Sequence, residues 1–218
     1  MAFKTLLIDL DETVYPAACG VWPAISARME QYMAERLGID PAEVPELRRA
    51  LYTKYGTTLR GLQIRYHVDE MEYIEYVHDV PLDTLLAPNP ELRDVLRQLP
   101  HRKLIFTNAD RKHAGRVLRV LGLEDCFDGI IDILDISPYC KPMIEAYQTA
   151  LRLAGEPNPA ACVFVDDSPR NLAGARAAGL YTVQVGVPDG EVAFDGVEVD
   201  AHIPRLADLP SILKDGAR

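Results

Sequence analysis

Four short runs, FKTLLIDL (3–10), KLIFTNAD (103–110), GIIDILDI (129–136) and ACVFVDDS (161–168), constrain the fold of this chain more than any other feature. Each is nearly continuously apolar and then breaks into polar residues. A strand with one wet face alternates, whereas a strand covered on both faces of a parallel sheet does not. Helical patterns lie between the runs. RKHAGRVLRVLGL (111–123) places Ala114, Val117, Leu118 and Leu121 on one stripe and stops at Gly122, a C-terminal cap. PMIEAYQTALRLAG (142–155) opens with Pro and closes with Gly, as helices do. NLAGARAAGL (171–180) is Ala-rich and also closes with Gly, and YTVQV (181–185) reads as a further strand. The alternation predicts an α/β fold, a doubly wound parallel sheet with right-handed crossovers.

Residues 15–88 break this rhythm. WPAISARMEQYMAERLG carries Trp22, Ile25, Met29, Met33 and Leu37 at helical spacing, and Asp40-Pro41 followed by Glu43 resembles a helix start. DEMEYIEYVHD (69–79) puts Met71, Ile74 and Val77 on one face. No strand interrupts these segments. The expectation is a small all-helical domain, 15–88, inserted after the first strand and returning near Pro88-Asn89-Pro90, with the α/β core formed by 1–14 and 89–218. Pro188 to Asp200, rich in Gly, Asp and Val, reads as a connection without an assignable role.

Composition narrows the function classes. The net charge of −10 argues against sequence-independent nucleic-acid binding, which needs a basic face, but leaves room for a small phosphorylated substrate in a locally cationic pocket. Cys19, Cys126, Cys140 and Cys162 are scattered, without a Cys-x-x-Cys pair, and read as reduced thiols. No apolar run approaches the roughly 20 residues of a membrane span, and the N-terminal run is too short for a signal peptide. The chain is therefore expected to be soluble and cytoplasmic, a monomer or small homo-oligomer, with neither nucleic acid nor membrane as partner.

The polar ends of the runs carry the chemistry. Ligands of open α/β sheets gather outside the carboxyl ends of the strands. Here those ends present Asp9, Asp11 and Thr13, then Thr107 and Asn108, then Asp166 and Asp167, while Lys141 lies just before Pro142. Carboxylates gathered at one edge repel unless a cation joins them, and an all-oxygen set suits a hard divalent ion such as Mg²⁺. A lysine can neutralise a carboxylate and hold a phosphoryl oxygen, and Thr107 with the following N–H groups can donate to the others. Together they suit phosphoryl transfer through an aspartyl-phosphate.

In this order the residues resemble the motifs of the haloacid dehalogenase superfamily: Asp9/Asp11/Thr13, Thr107, Lys141 and Asp166/Asp167. The segments DLDETVYP, YGTTLRGL, HDVPLD, FTNADRKHAGRVLRVLGLEDCFDGI, CKP and VDDSPRNLAGARAAGL resemble its pyrimidine 5′-nucleotidase branch. The resemblance implies a Rossmann-like core with a mobile helical cap. It also implies a Mg²⁺-dependent phosphatase of nucleoside 5′-monophosphates, pyrimidine ones preferred. Asp9 is then the nucleophile and a metal ligand. Asp11 is the general acid and base, its main-chain carbonyl a second ligand. Thr107 and Asn108 bind the phosphoryl group, and Lys141 bridges it to Asp9. Asp167 is the remaining protein ligand, with Asp166 as a direct or water-mediated helper. An acid at position 11 disfavours carbon–halogen cleavage, since dehalogenases are expected to lack it. The alternatives are a phosphatase of another small metabolite, such as a sugar phosphate or phosphoglycolate, and a non-catalytic phospholigand-binding protein.

Elsewhere bland readings prevail. His67, His78, His101, His113 and His202 share no metal spacing and most are expected at the surface. Asp69, Glu70, Glu72 and Glu75 read as a solvated helix face, and Trp22 with the Met residues as core of the helical domain. The glycine-bounded stretch Tyr55–Gly61 offers Arg60 as a substrate contact to a phosphate or base carbonyl, or as a partner of a neighbouring helix.

Overall fold

In the computed structural model, which describes residues 3–186 and 197–215, the first apolar run forms β1 (Thr5–Ile8), every residue of which is buried. It pairs in parallel with β2 (Arg102–Phe106) on one side and β4 (Cys162–Asp166) on the other. With β3 (Gly129–Ile131), β5 (Tyr181–Val185) and β6 (Ala201–Ile203) the sheet has six strands in the order β3-β2-β1-β4-β5-β6, all pairs parallel. This is the doubly wound, Rossmann-like order. The direction of winding reverses between β1 and β4, which opens a crevice at their carboxyl ends.

The chain divides into two compact units, Met1–Ala18 with Leu86–Arg218, and Cys19–Leu85. The second is all helical: α1 (Val21–Leu37), α2 (Val44–Tyr55), α3 (Thr58–Tyr66), α4 (Glu70–Val77) and α5 (Leu82–Leu85). Ile25, Met33, Leu51, Leu62, Tyr73 and Ile74 form its buried interior. Gly61 lets α3 lie against α2, since a Cβ there would sit 2.7 Å from Leu51 Cβ. Trp22 departs from its expected core place. It is 37% exposed, because Val21 and Ile25 supply the inward face of α1.

In the sheet-bearing unit, α6 (Pro90–Gln98), α7 (Arg111–Leu121), α8 (Ile144–Leu153), α9 (Pro169–Ala177) and α10 (Leu209–Asp215) accompany the strands. α7 ends at Gly122, whose φ of 70° is the left-handed cap the sequence predicts. Phe106, Tyr147 and Phe164 pack with ring centroids 5.5 to 5.7 Å apart between β2, α8 and β4. The third run departs from expectation. Its strand stops at Ile131, because the side chain of Asp132 accepts the N–H of Asp135 (2.9 Å) and turns the backbone out of the sheet. The Pro142 helix begins two residues late, at Ile144. Of the 188–200 connection, only 197–200 belong to the described residues.

Candidate active site

Sheet register brings the site residues together. Ile8 pairs with both Ile105 and Val165, so the residues after β1, β2 and β4 leave the sheet side by side. The N–H of Asp9 continues the ladder to Val165 O (2.8 Å). Lys141 reaches the same place from the loop before α8. Its Nζ donates to Asp9 Oδ1 (2.7 Å), Asp166 Oδ2 (2.8 Å) and Phe106 O (3.0 Å), which uses all three ammonium hydrogens. The side chain is 1% exposed and lies 5.3 and 5.1 Å from the Phe106 and Phe164 ring centres. Asn108 holds its main chain: Asn108 Nδ2 donates to Lys141 O (3.0 Å) and Asn108 Oδ1 accepts from Lys141 N (2.9 Å).

Asp9, Asp166 and Asp167 each offer an oxygen within 4.8 Å of the others. The Lys141 ammonium balances only one of these charges. Burial pushes the Asp9 carboxyl well above its ordinary value, with Asp166 and Asp167 adding to the rise and Lys141 opposing it. Asp167 is pushed up to about 7 by burial and by Asp166. Burial opposes the charge on Lys141, but Asp166 and Asp9 outweigh it and keep the ammonium protonated. A second cation would relieve the surplus, and buried oxygens without nitrogen or sulfur fit Mg²⁺.

The two acids after β4 differ in their attachments. Asp166 is saturated: Lys141 and Asn171 donate to Oδ2, and the Ser168 N–H (2.8 Å) and Asn171 to Oδ1. Its carboxylate chiefly anchors the lysine. Asp167 accepts from Thr13 Oγ1 (3.2 Å), and its carbonyl accepts from Gln184 Nε2 (3.3 Å).

Asp11 lies outside this triad of carboxylates. Its Oδ1 accepts from Tyr15 Oη (2.6 Å) and lies 3.1 Å from His113 Nε2. Burial and the neighbouring Asp11 hold the Tyr15 phenol above its usual value, so it stays a donor. His113 is the one of the five histidines that is buried, its side chain 0% exposed, while His67, His78, His101 and His202 stay at least partly exposed. The sequence signal was its place four residues before Val117 on the buried stripe of α7. Tyr15 and Asn171 were likewise missed. Asn171, in the first turn of α9 and five residues after Asp166, was legible only as a helix residue.

Thr107 is buried and its hydroxyl accepts from Ala109 N (2.9 Å), turning the chain at the end of β2. With the Asn108 amide given to Lys141, a phosphoryl contact from Asn108 falls to its main-chain N–H. Arg60 belongs to the helical unit, where its guanidinium binds Glu70 (2.9 Å) and Gln63 (2.7 Å) and is buried. Of the three partners the sequence allowed it, a neighbouring helix is the one found, and Glu70 accordingly leaves the solvated face.

Residues 3–179 match a family model described as haloacid dehalogenase-like hydrolase. Phosphate metabolism protein 8 of Saccharomyces cerevisiae is 28% identical over 228 residues, spanning 98% of this chain and 70% of that protein. The structure of a HAD phosphatase from Thermococcus onnurineus superposes with a TM-score of 0.64 at 20% identity, over 97% and 98% of the two chains. A 2-haloacid dehalogenase from Pseudomonas syringae pv. Tomato DC3000 gives 0.62 at 23% identity, over 98% and 99%. These structural likenesses establish the fold, and the fold serves both reactions.

Proposed function

The chain belongs to the haloacid dehalogenase-like hydrolase family, and on that premise we propose that it is a Mg²⁺-dependent phosphatase. Its substrates are nucleoside 5′-monophosphates, pyrimidine ones preferred, hydrolysed through an aspartyl-phosphate. Asp11 carries the choice of phosphoryl over halide chemistry. A halide leaves as a weak base and needs no acid. The alkoxide leaving a phosphate monoester is strongly basic, and a positioned carboxylic acid two residues from the nucleophile meets that need. The yeast relative is named for phosphate metabolism, which agrees with this reading.

Asp9, Asp167 and the main-chain carbonyl of Asp11 are the residues that would hold Mg²⁺, with Asp166 committed to Lys141. When Mg²⁺ is bound, it supplies the positive charge that offsets these carboxylates and the phosphoryl oxygens. The chain's own groups do the rest. An Asp9 carboxylate oxygen attacks phosphorus as the ester P–O bond breaks, and Asp11 gives its proton to the departing oxygen. Asp11, now ionised, takes a proton from water as the water oxygen attacks phosphorus and the Asp9–phosphorus bond breaks. Inorganic phosphate leaves and both aspartates are restored. Lys141 keeps Asp9 oriented throughout, and Thr107 with the Asn108 N–H binds the phosphoryl oxygens.

The preference for pyrimidine nucleotides rests on the segment likeness to that branch. The test is phosphate release from UMP and CMP with Mg²⁺, compared with AMP, sugar phosphates and phosphoglycolate. Faster turnover of UMP and CMP supports the reading. Preference for a sugar phosphate or phosphoglycolate moves the substrate, and no turnover of any of them defeats the phosphatase assignment.

A further inference from the structure

We infer that Tyr15 and His113 are positioning residues for Asp11, holding its Oδ1 so that the carboxyl group turns Oδ2 toward the leaving group. This deepens the phosphatase reading and rests on it.

Two separate elements converge on one oxygen. The chain after β1 turns back through the N–H groups of Thr13 and Val14, which both donate to Leu10 O (3.3 and 3.0 Å). Glu12 sits within that turn with φ of 60°. The turn returns Tyr15, 3% exposed, over Asp11. His113 arrives from α7, whose first turn is fixed by Asp110: its Oδ2 accepts from Lys112 N (2.8 Å) and His113 N (3.4 Å). The stripe that continues through Val117 and Leu121 is buried and apolar. An aliphatic residue at 113 would serve packing as well, and burying an imidazole there is costly unless its polar atoms are used.

The chemistry follows from the contact. Against an ionised Asp11, Nε2 must carry hydrogen, since two acceptors 3.1 Å apart would repel. Two donors on Oδ1 favour the negative charge on that oxygen and place the carboxyl proton on Oδ2. They also fix a torsion that is otherwise broad, because the carboxyl rotation of Asp has only shallow minima. Neither side chain touches the phosphoryl group in this account, so both act through Asp11.

The experiment compares kcat/KM for two substrates in Tyr15→Phe, His113→Ala and His113→Gln. p-Nitrophenyl phosphate loses a weakly basic phenolate and needs little help from an acid. UMP or glycerol phosphate loses a basic alkoxide and depends on Asp11. Each deletion is expected to lower kcat/KM for the alkyl phosphate by about 10-fold more than for the aryl phosphate, a fraction of the roughly 10²–10⁴ that general acid catalysis supplies. His113→Gln, which restores an N–H, is expected to recover part of the alkyl loss. Equal losses on both substrates, or none, would overturn the inference and leave these residues a packing role. Should His113→Ala fail to fold, Tyr15→Phe removes a single hydroxyl and decides the matter by the same ratio. Wild-type protein that turns over neither phosphate would instead sink the phosphatase reading itself.

Discussion

Replacing Lys141 with Met keeps the stem but removes the ammonium that Asp9 and Asp166 share. Lys141 and Asp166 are 1% and 0% exposed, so water cannot take over the lost hydrogen bonds. Breaking a buried pair in this way costs about 3–5 kcal/mol, because the stranded carboxylates keep their desolvation penalty. For a chain of this size that corresponds to a drop in Tm of roughly 6–20 °C. The loss must depend on pH. Without the lysine, burial and the neighbouring acids raise the Asp9 carboxyl unopposed, and an acid raised above its unfolded value destabilises the fold as pH climbs through the interval between the two. Lys141→Met is therefore expected to be closest to wild type near pH 5 and most destabilised near pH 8. Urea unfolding of both proteins without divalent cations, at the two pH values, measures this. A loss under about 1 kcal/mol at both, or a larger loss at the lower pH, would show that the lysine does not hold these acids together.

Three further outcomes follow from the same geometry. Asp167, pushed up to about 7 by burial and Asp166, binds a proton in the folded state that the unfolded chain releases near the ordinary carboxylate value of 3.8. Calorimetry of metal-free protein should show Tm falling between pH 4 and 7, and added Mg²⁺ should raise Tm more at pH 8 than at pH 5. A Cβ at Gly174 would stand 2.4 Å from Pro142 O and 2.8 Å from the Tyr147 ring, so Gly174→Ala must push the backbone beside Lys141. Overpacking of this kind costs about 1–3 kcal/mol, and kcat should fall along with Tm. Asn108→Ala strands the main-chain N–H and C=O of Lys141, at about 1–3 kcal/mol for each group left unsatisfied. Its kcat should drop more than its KM rises, and an unchanged kcat would remove Asn108 from the positioning of the lysine.

The sheet was legible because burial on both faces writes itself as uninterrupted apolar runs, and FKTLLIDL and ACVFVDDS gave up their polar ends with it. GIIDILDI was misjudged for the same reason. Its Ile133 and Ile136 are buried beneath a turn, so they look like strand residues while the Asp132 side chain ends the ladder. Asp9, Lys141 and Asp166 meet as the motif order implies. Their supporting contacts were hidden, because Asn108 and Asn171 act on groups 33 and 5 residues away through pairings that no local period encodes. His113 was legible as a member of the amphipathic stripe of α7, but the Asp11 it meets lies 102 residues away and no local spacing links the two. β6 is only three residues long and has no run to announce it.

Phosphorylation of Asp9 is the step on which the proposed hydrolysis depends. The direct measurement is rapid acid quench of the enzyme during turnover of radiolabelled UMP or, failing that, another phosphate ester it accepts, with the label then located by peptide mass spectrometry. A hydroxylamine-sensitive acyl phosphate is expected on the peptide carrying Asp9, formed and discharged at rates compatible with kcat, and absent from Asp9→Asn. Undiminished turnover by Asp9→Asn, or a label on any other residue, would contradict it.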